Sequence, residues 1–140
     1  MTTDQRMAVA RTGIQLEAAV PTFVVADVAG TARWYVECLG FRIAGKVPAA
    51  EPYVYASLQR DGVELMLLRH AGDQQAGQTA PDLAGAWHVY VRMRGVHAFY
   101  DAVRGRDFVR MPLTKQPYGD WEFEVRDPNG YVLVFGELTA

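Results

Sequence analysis

Two stretches of this sequence decide its fold: residues 27–40, DVAGTARWYVECLG, and residues 95–105, GVHAFYDAVRG. Both have the apolar spacing of an amphipathic helix. Asp27 is a good N-cap for the first helix, and Gly40 and Gly105 stand where C-terminal caps are expected. An aromatic pair and the closing glycine recur at one offset of 65 residues, from 34 to 99 and from 40 to 105. The sequence therefore predicts an internal duplication.

Strand-like segments rich in Val, Phe and Tyr surround each helix. A strand precedes each helix, and a hairpin follows it, so that each half has the order β-α-β-β-β. The expected strands before the helices are residues 20–26 and 87–92, and the expected hairpins are 53–59 with 63–68 and 121–126 with 131–135. The second hairpin turns at residues 127–130, DPNG, where glycine is suited to a positive φ.

A β-α-β-β-β unit has one sheet face covered by its helix and the other face uncovered. The sequence therefore predicts an α+β fold, in which two such modules form a curved mixed sheet with an open concave face. A ligand would bind on that face. We expect one compact domain made of a flexible N-terminal segment (1–17), a first module (18–70), a linker (71–85) and a second module (86–138).

Composition and charge exclude several classes of function. The 140 residues are half apolar, which is enough to build a core, and 14 basic against 16 acidic residues give a formal charge of −2. This balance argues against nucleic acid or a membrane surface as the main partner. No apolar run approaches the roughly 20 residues that span a bilayer, and the polar start has no signal peptide, so we expect a cytoplasmic protein. The single cysteine, Cys38, cannot form an internal disulfide and is expected to be buried and inert.

Short motifs along the chain, taken in order and spacing, resemble the vicinal oxygen chelate superfamily. This superfamily includes glyoxalase I, extradiol dioxygenases, fosfomycin-resistance enzymes and bleomycin-resistance proteins, and the likeness is greatest to the last of these. The motifs are AVP (19–21), ADVAG (26–30), LGF (39–41), QPYG (116–119), EF (122–123) and RDPNG (126–130). The resemblance covers residues 18–137 and implies the same two-module fold.

The resemblance also implies where a metal would bind, because enzymes of the superfamily hold a divalent ion with side chains from both modules. The matching positions are Val20, Glu64, His88 and Val134. Valine has no donor atom, and two ligands would leave the ion under-coordinated. We therefore expect no metal cofactor. One alternative stays open, since the turn at 127–130 would place Glu124 opposite Val134 and allow a Glu64/His88/Glu124 site in a glyoxalase-like or dioxygenase-like enzyme.

In bleomycin-resistance proteins two subunits exchange elements, and the likeness implies a homodimer whose interface grooves hold a flat ligand between aromatic rings. Tyr118 matches the aromatic residue of the QPYG motif, and Trp87 resembles the second stacking residue, although Tyr90 could take that place instead. Trp121 and Tyr53 are further candidates. The predicted ligand-binding residues are Tyr53, Glu64, Met66, Trp87, His88, Tyr90, Tyr118, Trp121 and Glu124. No catalytic residue is assigned.

Strand alternation predicts which charges share the concave face. Glu122, Glu124 and Arg126 would lie on that face, and the apolar residues between them would face the helix. If these carboxylates lie together with Glu64, a cationic ligand fits. If Arg92 and Arg126 neutralise them, an uncharged or anionic aromatic metabolite fits better.

These observations predict a metal-free protein that confers antibiotic resistance by sequestration. It would bind a small aromatic antibiotic or metabolite stoichiometrically, in grooves at the interface of a homodimer. The alternative is the metal-dependent enzyme described above, a lyase, isomerase or dioxygenase.

Overall fold

The computed structural model of the chain describes residues 1–70 and 87–138. The predicted linker at 71–85 lies outside these residues. The elements are α1 (Thr3–Val9), β1 (Thr22–Val25), α2 (Val28–Leu39), β2 (Arg42–Val47), β3 (Tyr55–Arg60), β4 (Val63–Arg69), β5 (Val89–Arg92), α3 (Val96–Val103), β6 (Val109–Lys115), β7 (Asp120–Arg126) and β8 (Val132–Leu138).

The strands of the described residues form two mixed sheets with the same topology. The first sheet has the order β1-β4-β3-β2 and the second the order β5-β8-β7-β6. In each sheet one pair is parallel, β1 with β4 and β5 with β8, and the other pairs are antiparallel. This arrangement confirms the α+β class and the β-α-β-β-β order of each half.

Local side-chain chemistry sets the ends of α2 as the sequence predicts. The Asp27 side chain accepts a hydrogen bond from the Gly30 amide at 2.9 Å, which satisfies a free amide of the first turn. Gly40 ends the helix with φ at 74°, a left-handed conformation that favours glycine. An Arg60 guanidinium also donates to the Leu39 carbonyl at 2.7 Å, so the last turn is capped from both the backbone and a neighbouring strand.

Alternation along β7 and β8 separates a helix face from an uncovered face. Phe123 pairs with Phe135 in the ladder, and the Phe99 ring of α3 lies 5.4 Å and 5.0 Å from their ring centroids. Glu122 and Glu124 are the intervening residues and therefore lie on the opposite face. The predicted alternation of β7 is confirmed.

The two modules pack together through α2, β1 and the β7–β8 turn. The Tyr35 hydroxyl of α2 donates to Asp127 Oδ2 at 2.8 Å, and both residues are buried. The Phe23 and Tyr131 rings stack with centroids 4.1 Å apart, and Tyr131 Oη also donates to the Val24 carbonyl. Buried residues from both modules belong to one hydrophobic cluster, so the halves share a core.

The N-terminal segment contains a short helix that sequence analysis did not assign. A reciprocal capping box between Thr2 and Gln5 begins α1, and none of its residues is buried. Within residues 1–70 and 87–138, no helix is long and apolar enough to cross a membrane.

Candidate functional site

A pocket of about 460 Å³ lies on the uncovered face of the second sheet. Its volume lies in the range of sites that hold small organic molecules. Aromatic rings and acidic side chains form most of its lining, which consists of Trp87, Tyr90, Arg92, Tyr118, Asp120, Glu122 and Leu138.

Strand register brings these residues together from distant parts of the chain. Arg92 of β5 lies beside Gly136 of β8, and Gly136 pairs on its other side with Glu122 of β7. Tyr90 and Asp120 lie two residues away along their strands and therefore share the face of Arg92 and Glu122. The pocket thus depends on the central position of β8 between β5 and β7.

Gly136 leaves the space in which the Tyr90 side chain lies across the sheet. A Cβ atom at Gly136 would be 2.0 Å from Tyr90 Oη and 2.6 Å from its Cζ. Because that space is free, the Tyr90 hydroxyl reaches Asp120 Oδ2 at 2.5 Å. Sequence analysis missed Gly136, although a glycine inside a strand is a recognised sign that another group approaches closely.

The floor of the pocket contains two buried carboxylates and one guanidinium. Asp120 is 5% exposed and Glu122 is 1% exposed. Arg92 Nη1 lies 3.3 Å from Asp120 Oδ2, whereas Glu122 Oε2 accepts its hydrogen bond from the neutral Tyr118 hydroxyl at 2.6 Å. Charges in such a site are less screened than in water, so the excess carboxylate creates a locally negative potential.

The pKa values of both tyrosine hydroxyls are raised above their ordinary value of 10. The hydrogen bond to Glu122 is the main cause that raises the pKa of Tyr118 to about 12, with smaller effects from burial and nearby acids. Burial is the first cause that raises the pKa of Tyr90, followed by its hydrogen bond to Asp120. Both side chains are therefore hydrogen-bond donors at neutral pH.

Three of the aromatic residues proposed from the sequence meet in this pocket. Trp87 is 45% exposed and its ring centroid lies 5.6 Å from that of Tyr90, while Tyr118 is 58% exposed on the same lining. Trp87 and Tyr90 were alternatives in the sequence analysis, but both line the pocket. Trp87 lies outside β5, which begins at Val89. The alternation of side chains within that strand therefore does not place the Trp87 side chain on the helix face.

Two other predicted aromatic residues lie elsewhere, which corrects their assignment to the same groove. Trp121 pairs with Glu137 on the helix face of the sheet, with its ring centroid 5.1 Å from that of His97 in α3. Tyr53 is 8% exposed and belongs to the hydrophobic core, with the Lys46 ammonium 5.2 Å from its ring centroid. Alternation along β7 places Trp121 opposite to Glu122, and burial removes Tyr53 from any surface groove.

The remaining predicted residues lie outside the pocket in a single chain. Glu64 and Met66 are on β4 of the first sheet, where Glu64 Oε2 accepts a hydrogen bond from Ser57 Oγ at 2.6 Å. His88 Nδ1 accepts from the Val132 amide at 2.9 Å. Glu124 shares the uncovered face of β7 but forms an ion pair with Arg110 at 3.7 Å.

The donor atoms present do not fit the metal site of the superfamily's enzymes. The side chains of Val20 and Val134 have no atom that can bind a metal, and one ring nitrogen of His88 already accepts a backbone hydrogen bond. Among the residues described, no group of three or more His, Cys, Asp or Glu side chains is placed to hold a metal ion.

Comparisons with known proteins agree with this architecture. The model of a family described as the Glyoxalase/Bleomycin resistance protein/Dioxygenase superfamily matches residues 17–135. No curated protein gave a sequence match.

Several solved structures share the fold at low sequence identity. TioX from Micromonospora sp. ML1 is 22% identical with a TM-score of 0.68, over 89% of this chain and 98% of its own. A glyoxalase-related enzyme from Clostridium phytofermentans is 17% identical with a TM-score of 0.68, over 92% and 100%. The bleomycin-binding protein from bleomycin-producing Streptomyces verticillus, complexed with copper(II)-bleomycin, is 21% identical with a TM-score of 0.62, over 87% and 96%.

Proposed function

Because the chain belongs to the glyoxalase/bleomycin resistance protein/dioxygenase superfamily, we propose that it binds a small, positively charged aromatic molecule and sequesters it without turnover. The binding site is the pocket of Trp87, Tyr90 and Tyr118 above Asp120 and Glu122. Binding requires no metal. The observation that carries this proposal is that exposed aromatic rings and buried carboxylates line one pocket.

The aromatic rings supply affinity for a flat ligand. Trp87 and Tyr118 are large side chains that remain exposed, so their ring surfaces are available to a bound molecule. Aromatic pairs contribute about 0.5–1.5 kcal/mol beyond the burial of their area, and such rings have few rotatable bonds to order. A planar ligand placed beside Trp87 would thus gain both burial and ring contacts.

The carboxylates select the charge of the ligand. Among the lining residues that the structure describes, one guanidinium, Arg92, lies beside two acidic groups, Asp120 and Glu122, which together carry a formal charge of −1. A cation would restore neutrality, whereas an anion would be repelled by the floor. This supports the cationic alternative over the uncharged or anionic one.

A solved structure with this fold contains a bound ligand. The Streptomyces verticillus protein with this fold was solved with copper(II)-bleomycin bound. At 21% identity the likeness shows the fold alone. The ligand class for this chain therefore rests on its own pocket.

A pair of isosteric variants tests the charge selection. Replacing Glu122 by glutamine should weaken binding of ethidium, a flat aromatic cation, by about tenfold, because one buried carboxylate charge is lost while the side chain keeps its shape. Binding of phenanthridine, the uncharged ring system of ethidium, should change less than about twofold. Affinities are measured by fluorescence titration of chelator-treated protein, with bleomycin as a second titrant.

Glu124→Gln is the matched control for this experiment. It removes a carboxylate from the same face of the same strand but outside the pocket, and should leave ethidium affinity unchanged. Equal losses in both variants would mean that net charge alone determines binding. Failure of the unaltered protein to bind either titrant would refute the proposed ligand class.

We propose further that two copies of the chain associate through the uncovered face of the first sheet. A row of side chains crosses that face, because Val24 pairs with Leu68, Leu68 with Tyr55 and Tyr55 with Val47. Val24, Leu68 and Val47 are 38%, 39% and 54% exposed, so this row presents apolar surface to solvent. Burial against a second copy would remove that surface from water.

Light scattering during size-exclusion chromatography tests the dimer. The unaltered chain should elute at twice the monomer mass, and Leu68→Glu should elute as a folded monomer, because a charge in the centre of an apolar interface is costly. Val36→Glu introduces the same charge at an equally exposed valine of α2, the helix that packs on the covered face of the first sheet, and should leave the dimer intact. A dimer that persists in Leu68→Glu would place the interface elsewhere.

A further inference from the structure

A second cavity, of about 430 Å³, lies at the junction of the two modules. Its lining combines the end of α2 and the β3–β4 turn of the first module with β5 and α3 of the second. The lining residues that matter here are Leu39, Phe41, Arg60, Val63, Arg94 and Phe99. Of the lining residues described for this cavity, Arg92 alone also lines the pocket assigned to the proposed function, so we treat the two cavities as distinct.

The floor of this junction cavity is apolar. Leu39 and Phe41 belong to the hydrophobic core and are 1% and 5% exposed. Val63 and Phe99 are partly buried and pack against the same core. An apolar body of several carbon atoms would therefore contact hydrocarbon and aromatic surface there.

The rim of the cavity is positively charged. The Arg60 guanidinium is fixed by its hydrogen bond to the Leu39 carbonyl and lies 5.1 Å from the Phe99 ring centroid. Arg94 is exposed and makes no hydrogen bond or ion pair with any residue in the described ranges. The carboxylate at this rim, Asp61, has a side chain that is 93% exposed and lies 3.9 Å from Arg60 Nε.

The positive rim continues into an adjoining cavity of about 550 Å³. Arg60 and Arg94 line that cavity as well, together with Arg106, and its only acidic residue among those described is Glu37. Guanidinium groups therefore outnumber carboxylates on both sides of Arg94. A carboxylate ligand is the complement of such a rim, because guanidinium groups bind carboxylates through paired, charge-assisted hydrogen bonds.

We propose that the junction cavity is a second ligand site, which takes an amphiphilic carboxylate. The apolar body of the ligand lies on Leu39, Phe41 and Val63, and its carboxylate pairs with Arg94. This site goes beyond the proposed function, since its ligand has the opposite charge and contacts both modules at once. Arg94 has no partner within residues 1–70 and 87–138 and can therefore pair with a ligand, whereas Arg60 also stabilises the end of α2.

Displacement of a fluorescent anion tests this site. The reporter is 8-anilinonaphthalene-1-sulfonate, and the displacing ligand is octanoate, with octan-1-ol as its uncharged counterpart. Octanoate should displace the reporter from the unaltered protein at least about tenfold more effectively than octan-1-ol. Arg94→Gln should weaken the binding of octanoate by about tenfold, because the charge-assisted pair is lost. Its displacement of the reporter should then be close to that of octan-1-ol.

Two further variants locate the site and control for charge. Val63→Trp fills the cavity and should abolish displaceable reporter binding, with the far-ultraviolet circular dichroism spectrum checking that the chain is folded. Arg104→Gln removes an exposed arginine of the α3 C-terminus that lines neither cavity, and should leave octanoate affinity unchanged.

The outcomes separate this site from the proposed function. Unchanged octanoate affinity in Arg94→Gln overturns the proposal, as does equal displacement by the acid and the alcohol. Stronger octanoate binding in Glu122→Gln, together with unchanged binding in Arg94→Gln, would place the anion in the other pocket and also overturn the proposal. Ethidium binding that persists in Val63→Trp would leave the proposed function standing whichever result octanoate gives.

Discussion

Asp127→Ala is expected to lower the free energy of unfolding by about 3–5 kcal/mol, because it leaves the buried Tyr35 hydroxyl and two partly buried backbone amides without their acceptor. Asp127 is 3% exposed and accepts from the Tyr35 hydroxyl at 2.8 Å, the Asn129 amide at 2.8 Å and the Tyr131 amide at 3.0 Å. The bond to Tyr35 joins the second module to α2 of the first. Urea denaturation followed by circular dichroism measures the loss.

Asp127→Asn is the conservative control for this substitution. Asparagine keeps the shape of the side chain and one oxygen acceptor for the turn amides, so it should lose less than half as much stability as alanine. An alanine variant within about 1 kcal/mol of the unaltered protein would show that the turn rearranges to satisfy its donors by other means.

The protonation of Asp127 makes the free energy of unfolding depend on pH, and the direction of the raised pKa fixes the sign of that dependence. Burial raises the pKa of Asp127 above its ordinary value of 3.8, although hydrogen bonds from Tyr35, Asn129 and Tyr131 act in the opposite direction. Because the folded state favours the neutral acid, this group stabilises the fold below pH 3.8, and that stabilisation is lost as pH rises through the raised pKa. The unaltered protein should therefore lose stability relative to Asp127→Asn as pH rises from about 3.5 to 6. A constant difference over that range would contradict the raised pKa.

Gly136→Ala is expected to weaken ethidium binding by at least about thirtyfold while the chain remains folded. The new Cβ would lie 2.0 Å from Tyr90 Oη, so the Tyr90 side chain must leave its position. That movement breaks its hydrogen bond to Asp120 and displaces the ring that lies beside Trp87. Affinity is measured by fluorescence titration, and thermal unfolding reports whether the fold is retained.

Gly45→Ala is the matched control for Gly136→Ala. Gly45 lies in the first sheet opposite Ser57, and a Cβ atom there would meet its nearest neighbour at 4.0 Å, which is ordinary contact. Ethidium affinity should not change in this variant. In a Tyr90→Ala background, Gly136→Ala should cause no further loss, because the clashing group is gone. A full second loss in the double variant would mean that Gly136 acts through something other than Tyr90.

Much of the fold could be predicted because its signals are local. The N-cap Asp27, the left-handed Gly40 and the turn that ends at Gly130, with φ at 89°, each act on the few residues beside them. The placement of Glu122 and Glu124 on one face follows from the two-residue period of a strand. These features can be predicted without knowing which segments of the chain pack together.

From the sequence, a residue could be placed in the pocket only where it belongs to a motif and its side chain is also exposed. Tyr118 was identified from the QPYG motif, and the structure places it among other aromatic residues. The sequence analysis names Trp121 and Tyr53 as further aromatic candidates for the same groove, but the first faces the helix and the second is buried in the core. The aromatic side chains of Trp121 and Tyr53 made them candidates for a ligand site. Their actual surroundings depend on residues far along the chain.

By itself, the sequence determined the duplication, the ends of α2, the hairpins and the strand alternation, because propensity, capping and periodicity act within a few residues. Only the tertiary structure decided which side chains share a pocket. Parallel pairing of β5 with β8 brings Tyr90 next to the strand that contains Gly136, and antiparallel pairing of β7 with β8 brings Asp120 within its reach. Strand pairing between distant segments depends on burial and hydrogen bonding across the whole core, which no local pattern encodes.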